Sequence, residues 1–283
     1  MSIAVNRAAD LTLDRLFKLE DHKQHMKPTK IPLCIIKYGP PGSGKTSADA
    51  YVKKLVGVNL DNFITIDKDI PLTSIREFRT GSLLHVQKGV RYEEGAEALQ
   101  EFQDSILNEP NRDGLSINDK IPIAIQRAFD YHLNVLWETT AQSARSQALM
   151  EEVFRAIPSV YRIIVMFPIV SEETSLDRVR SRAAGHLKEQ PPYFRPVPAD
   201  RVKSARVESY RYFTEKIMPR VLDGSIYQLF CYNNEGRPHT DDYKIVMNRN
   251  IARRKRTTKR VARGWRFGLN AKGHRRTIRA ALR

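Results

Sequence analysis

Eight residues leave few folds open to this chain. Gly39-Pro40-Pro41-Gly42-Ser43-Gly44-Lys45-Thr46 fits the pattern GxxxxGK[ST]. The motif stands between a short apolar run, residues 31–38 (IPLCIIKY), and a stretch with helical character, residues 47–58. An apolar run that stops at glycine and proline suits a strand buried on both faces. The glycines let the backbone turn its N–H groups inward around a phosphate, and the helix that follows adds the positive end of its dipole. In this reading Gly39, Gly42, Ser43, Gly44, Lys45, Thr46 and Ser47 hold the phosphates of a nucleoside triphosphate. Lys45 supplies a point charge, and the Thr46 hydroxyl is a magnesium ligand.

The rest of the chain repeats the strand–helix alternation. Further strands are expected at residues 63–66 (FITI), 134–137 (NVLW), 161–170 (YRIIVMFPIV) and 226–232 (IYQLFCY). Helices are expected over 10–25, 93–108, 119–132, 144–156 and 199–222, from the spacing of their apolar residues. Residues 109–118 read as a polar loop, and 171–200 as irregular in its second half. Five buried-type strands alternating with helices predict an α/β P-loop NTPase fold: a five-stranded parallel sheet with helices on both faces. The expected division is an N-terminal helical segment (1–30), one P-loop domain (31–249) and a basic tail (250–283).

Charge belongs mostly to that tail. The 283 residues carry 48 Lys and Arg against 32 Asp and Glu, a formal charge of +16. Residues 251–283 hold 13 of the basic residues and no acid, which leaves 35 basic and 32 acidic side chains in residues 1–250. The domain is nearly balanced, so the overall charge says nothing of what it binds. In the tail, Trp265 and Phe267 interleave with arginine, a pattern suited to nucleic acid, an acidic partner or nuclear import. No apolar stretch approaches the ~20 residues of a membrane helix, and the N-terminus has no signal-peptide pattern. Cys34 and Cys231 cannot build a disulfide framework. The expectation is a cytoplasmic protein, nuclear if the cell is eukaryotic. His22 and His25, spaced i, i+3 beside Asp21, read as a polar helix end. His186 reads as exposed.

A single P-loop leaves motor, GTPase and kinase open. A GTPase needs an NKxD box, which the chain lacks, and the body is too short for tandem helicase motors. In open α/β sheets ligands collect at the carboxyl ends of the strands. There the chain places Asp67-Lys68-Asp69 and Glu138-Thr139-Thr140, carboxylates of the kind a kinase needs at the acceptor hydroxyl and near magnesium. Residues 178–195 carry four arginines and two prolines, suiting a lid that supplies a guanidinium to the transferring phosphoryl group. Arg178 and Arg180 read as a solvated face of that segment. Arg182 and Arg195 read as functional.

These residues resemble the zeta toxin family of P-loop kinases. The resemblance runs from about residue 31 to 236, on GPPGSGKTS (39–47), FITIDKD (63–69), NVLWETT (134–140) and the pair Arg182 and Arg195. It implies transfer of the ATP γ-phosphate, with Mg2+, to a hydroxyl of a small acceptor, a nucleotide sugar such as UDP-N-acetylglucosamine. Lys45 and Thr46 would bind phosphate and magnesium, and Asp69 would be the base. Glu138 and Thr140 would serve the acceptor and the metal, while Arg182 and Arg195 touch the triphosphate. An antitoxin-like protein partner is also implied. Two acceptor-side positions depart from the family: Gln142 replaces an arginine, and Pro122 stands near the place of an acidic residue. The alternatives are a polynucleotide 5′-hydroxyl kinase whose tail holds the substrate, and a nucleic-acid-binding protein with a non-catalytic ATP site.

Overall fold

A computed structural model describes residues 16–25, 30–87, 92–111, 113–236 and 244–250. The start of the expected first helix (10–15) and the basic tail with Trp265 and Phe267 lie outside the described residues. The sheet contains β1 (Leu33–Tyr38), β2 (Phe63–Ile66), β3 (Asn134–Thr139), β4 (Arg162–Ile169), β5 (Gln228–Asn233) and β6 (Lys244–Asn250). Their order is β2-β3-β1-β4-β5-β6. The first five strands pair in parallel, as the sequence predicts. The sixth adds an antiparallel edge against β5. Its sequence, KIVMNRN, has one short apolar group between polar residues, which is why it went unread; an edge strand needs no continuous apolar run.

Side-chain alternation sorts the strands' residues into two cores. On one face Ile36, Tyr38, Val135, Trp137, Val165 and Phe167 pack together. They meet α6 (Ile117–Asp130), α7 (Ala144–Ala156) and α9 (Ala199–Tyr212), whose Ile125, Phe129, Met150 and Tyr210 belong to the same cluster. On the other face Ile35, Leu136, Ile164, Met166 and Phe230 lie against Ala48 and Val52. Val52 comes from α2 (Asp49–Val56). Each fully buried aliphatic or aromatic side chain here contributes about 1.5–3 kcal/mol relative to exposure.

The remaining helices complete the fold. α1 (Leu19–His25) ends with His25 Nδ1 2.8 Å from the Asp21 carbonyl, the polar helix end expected. After β2 come α3 (Asp69–Ser74), α4 (Arg76–Gln87) and α5 (Tyr92–Asn108). The first two were not legible. α3 carries Pro71, and α4 contains Gly81, which lies so close to Phe102 of α5 that a Cβ would come within 2.5 Å of its ring. α8 (Glu172–His186) precedes an irregular stretch, 187–198, as expected. α9 continues through one π-turn (Phe213–Ile217) into α10 (Met218–Asp223), so the predicted long helix is present with a local distortion. No helix among the described residues is long and apolar enough to cross a membrane.

Candidate active site

The P-loop closes over the carboxyl end of β1. Gly42 (φ +73°) and Gly44 (φ +83°) both sit in the left-handed region, which costs other residues about 1–2 kcal/mol. Space is as restrictive as torsion: a Cβ on Gly42 would come within 2.3 Å of the Ser175 carbonyl oxygen. The helix after the loop opens as a tight 3-10 turn, Thr46–Ala48, and continues as α2. Lys45 is buried, and its Nζ donates to the carbonyls of Gly39 (3.0 Å) and Pro40 (3.1 Å). The Ser43 hydroxyl is buried with no hydrogen-bond partner among the described residues. The Thr46 side chain is exposed beside the loop.

A cavity of about 620 Å³ extends from Lys45 across the ends of β3 and β2. It brings together Asp67, Asp69, Glu138, Thr140, Arg182 and Arg195, residues spread over more than a hundred positions of sequence. Asp69 and Arg195 are joined directly, Oδ1 to Nη2 at 2.5 Å. Burial works against the Asp69 carboxylate, but Arg195 and Lys68 outweigh it and hold its pKa below the usual range. Asp67 moves the other way: burial raises its pKa, and the neighbouring charges of Asp69 and Glu138 add to the rise. The two neighbouring carboxylates are thus pushed in opposite directions.

Glu138 is braced from beneath by a residue the sequence reading passed over. Lys37 on β1 is buried, and its Nζ reaches Asp49 Oδ1 (2.7 Å) and Glu138 Oε2 (3.2 Å). Burial opposes its charge, but Glu138 and Asp49 overcome that and keep it cationic. The signal was available: Lys37 is a charge inside the apolar run of β1, and a charge there needs partners.

The lid is docked. Phe194 N donates to Ser82 Oγ (3.0 Å), and Arg79 Nη1 donates to the Pro191 carbonyl (2.9 Å), both anchors from α4. His186 is half-buried and stacks on Tyr193 with ring centroids 4.4 Å apart, which corrects its reading as exposed. Burial, then Arg182 and Arg195, lower its pKa to about 4. Arg178 is likewise no solvated surface residue. Its Nη2 donates to the carbonyls of Asn234 (2.7 Å) and Gly236 (2.5 Å), while Asn234 Nδ2 donates to the Ser43 carbonyl of the P-loop (2.6 Å). Arg180 stays exposed.

Both acceptor-side departures find local answers. Gln142 lines the cavity with its amide oxygen accepting 3.2 Å hydrogen bonds from Nε and Nη2 of Arg201, so a guanidinium does reach that place, from α9. An acidic side chain also stands in the first turn of α6. The helix starts at Ile117, two residues earlier than its spacing suggested, and Asp119 lines the cavity. The cap explains the early start: Ser116 and Asp119 form a capping box.

The site suits magnesium by its donors, a hydroxyl (Thr46) and acidic side chains (Glu138, Asp67) near the phosphate cradle. Among the described residues no three His, Cys, Asp or Glu side chains gather as a metal cluster; magnesium bound mainly through nucleotide phosphates needs none. Cys34 and Cys231 are buried free thiols, and burial pushes the Cys34 thiol up to about 12.

No family model and no curated protein matches the chain. Solved structures do. One is from the PezAT chromosomal toxin–antitoxin system of Streptococcus pneumoniae, at 16% identity over 95% of this chain and 91% of that one, TM-score 0.47. Another is the AvrRxo1-ORF1:AvrRxo1-ORF2 complex, at 14% identity over 83% and 66%, TM-score 0.44. A gluconokinase from Sinorhizobium meliloti matches at 12% identity over 74% and 86%, TM-score 0.36.

Proposed function

We propose that this chain is an ATP-dependent kinase that phosphorylates a hydroxyl of a small acceptor. The observation that carries the reading is the single cavity joining the Lys45 cradle to Asp69, Glu138 and the two lid arginines. The triphosphate lies in the P-loop, where the loop N–H groups, the Ser43 hydroxyl and Lys45 receive it; Lys45 exchanges the carbonyls of Gly39 and Pro40 for phosphate oxygens. Arg182 and Arg195 bind the transferring phosphoryl group. Thr46 and Glu138 hold magnesium, which screens the charge of the phosphates when bound. Arg195 leaves Asp69 as it moves to the triphosphate, and the freed carboxylate accepts the acceptor's proton. The acceptor oxygen bonds to the γ-phosphorus as the bond to the β–γ bridging oxygen breaks, and ADP leaves with that electron pair.

The zeta-toxin resemblance points to a nucleotide-sugar acceptor and an antitoxin-like partner. Deletion of residues 251–283 separates the kinase reading from its rivals. Unchanged turnover on a small acceptor supports it. Loss of turnover on 5′-hydroxyl oligonucleotides, with a steep salt dependence, supports a polynucleotide kinase instead.

A further inference from the structure

Beyond Asp69, the far end of the cavity has an unusual charge arrangement. Its two arginines are already committed. Arg201 binds Asp104 (3.0 Å) as well as Gln142, and Arg145 binds Asp119 (3.2 Å) and the Asn108 side-chain oxygen (2.6 Å). Arg195 is paired with Asp69. Lys68, at the turn between β2 and α3, is different. Its side chain lines the cavity half-buried and makes no hydrogen bond or ion pair among the described residues. The charges that face it are Asp69, Asp104, Arg195 and Arg201. Asp69 and Asp104 are each held by an arginine, and the Lys68 ammonium lies outside those contacts. Burial works against the Lys68 ammonium and Asp69 offsets that only in part, so an incoming anion is favoured.

A second side chain points to the same ligand. Gln103 on α5 is only 6% exposed and lines the cavity, and its side chain makes no hydrogen bond among the described residues. Its amide opens on the cavity, where a ligand can pair with it. α3 packs on α5, which brings the two walls together.

We infer that Lys68 and Gln103 form the acceptor-recognition subsite, and that the acceptor is a small alcohol bearing one anionic group, a carboxylate or a phosphomonoester. This rests on the kinase reading above and departs from a nucleotide-sugar acceptor. A diphosphate linked to a nucleoside would need the two arginines that Asp104 and Asp119 hold. The ammonium fixes the anionic group, the Gln103 amide takes a neighbouring hydroxyl, and the reacting hydroxyl is turned to Asp69.

The test uses the full-length protein, γ-labelled ATP and magnesium, with gluconate, glucose 6-phosphate, glucose and UDP-N-acetylglucosamine as acceptors. Label is expected on gluconate or glucose 6-phosphate, and which of them is labelled tells carboxylate from phosphate. Lys68→Met should raise KM for the labelled acceptor about 10–100-fold, the effect of one charge-assisted hydrogen bond. Its ATP affinity by calorimetry should stay unchanged. Lys68→Arg should restore much of the loss, which a merely structural lysine would not require. Equal or better labelling of glucose or UDP-N-acetylglucosamine overturns the inference, and so does an unmoved KM in Lys68→Met. ADP release without label on either anionic acceptor also overturns it while leaving the kinase reading standing. Absence of both ATP binding and ADP release overturns the two together.

Discussion

Asp69→Asn removes the proposed base while keeping the side chain's shape. It also releases Arg195, whose Nη2 lies 2.5 Å from Asp69 Oδ1. The side chains are 28% and 11% exposed, so the pair falls between a surface ion pair, worth up to about 1 kcal/mol, and a buried one, whose rupture costs about 3–5 kcal/mol. A loss of about 2 kcal/mol is expected, which lowers the melting temperature by about 4–8 °C in a domain this large. The chemical effect is larger. Loss of a general base lowers kcat by about 10²–10⁴. ATP binding should move the opposite way from stability: Arg195, freed from its carboxylate, is available to the triphosphate, so affinity holds or tightens. Transfer from labelled ATP gives kcat, calorimetry the affinity and thermal unfolding the stability. Wild-type turnover in this variant refutes the base. Weaker ATP binding refutes the view that Arg195 alternates between Asp69 and the phosphates.

Gly42→Ala should lower ATP affinity at least about 10-fold by fluorescence titration, because its Cβ collides with the Ser175 carbonyl and its φ of +73° is strained for alanine; unchanged affinity would mean that the cradle does not need this geometry. Lys37→Met should cost about 3–5 kcal/mol in denaturant unfolding, since Glu138 and Asp49 lose their shared buried cation. It should also raise the magnesium concentration needed for half-maximal turnover; an unaltered magnesium requirement would separate Lys37 from the site. His186 stays neutral in the fold to about pH 4, below its ordinary value of 6.5. As pH falls through that interval the unfolded chain takes up a proton that the fold refuses, so stability declines towards acid. His186→Phe should flatten this part of the stability profile, and an identical profile would show that the histidine titrates normally.

What the sequence disclosed follows from how local each signal is. The P-loop is a contiguous motif between a strand and a helix, and both flanking elements are where the pattern put them. Helix α7 matched residue for residue because its apolar spacing is regular and Ser143 caps it. Asp69 and Glu138 were legible as the polar residues that end buried strands. The misses are of another kind. Arg201 meets Gln142 only because α9 folds back across the sheet, and no spacing in the chain announces a contact between positions so far apart. Arg178 looked solvated because its partners are backbone carbonyls after β5, groups that every sequence has and none displays. α3 and α4 carry proline and glycine at positions where local propensity argues against helix, and packing on α5 overrides it.

The central claim is phosphoryl transfer from this P-loop to a small alcohol. Its most direct test incubates full-length protein with γ-labelled ATP, magnesium, a mixture of small hydroxylated metabolites and a 5′-hydroxyl oligonucleotide, beside Lys45→Met as control. The account predicts label on a small molecule with the wild-type protein and none with Lys45→Met. Label confined to the oligonucleotide, or ATP bound tightly with no label transferred to anything, would contradict it.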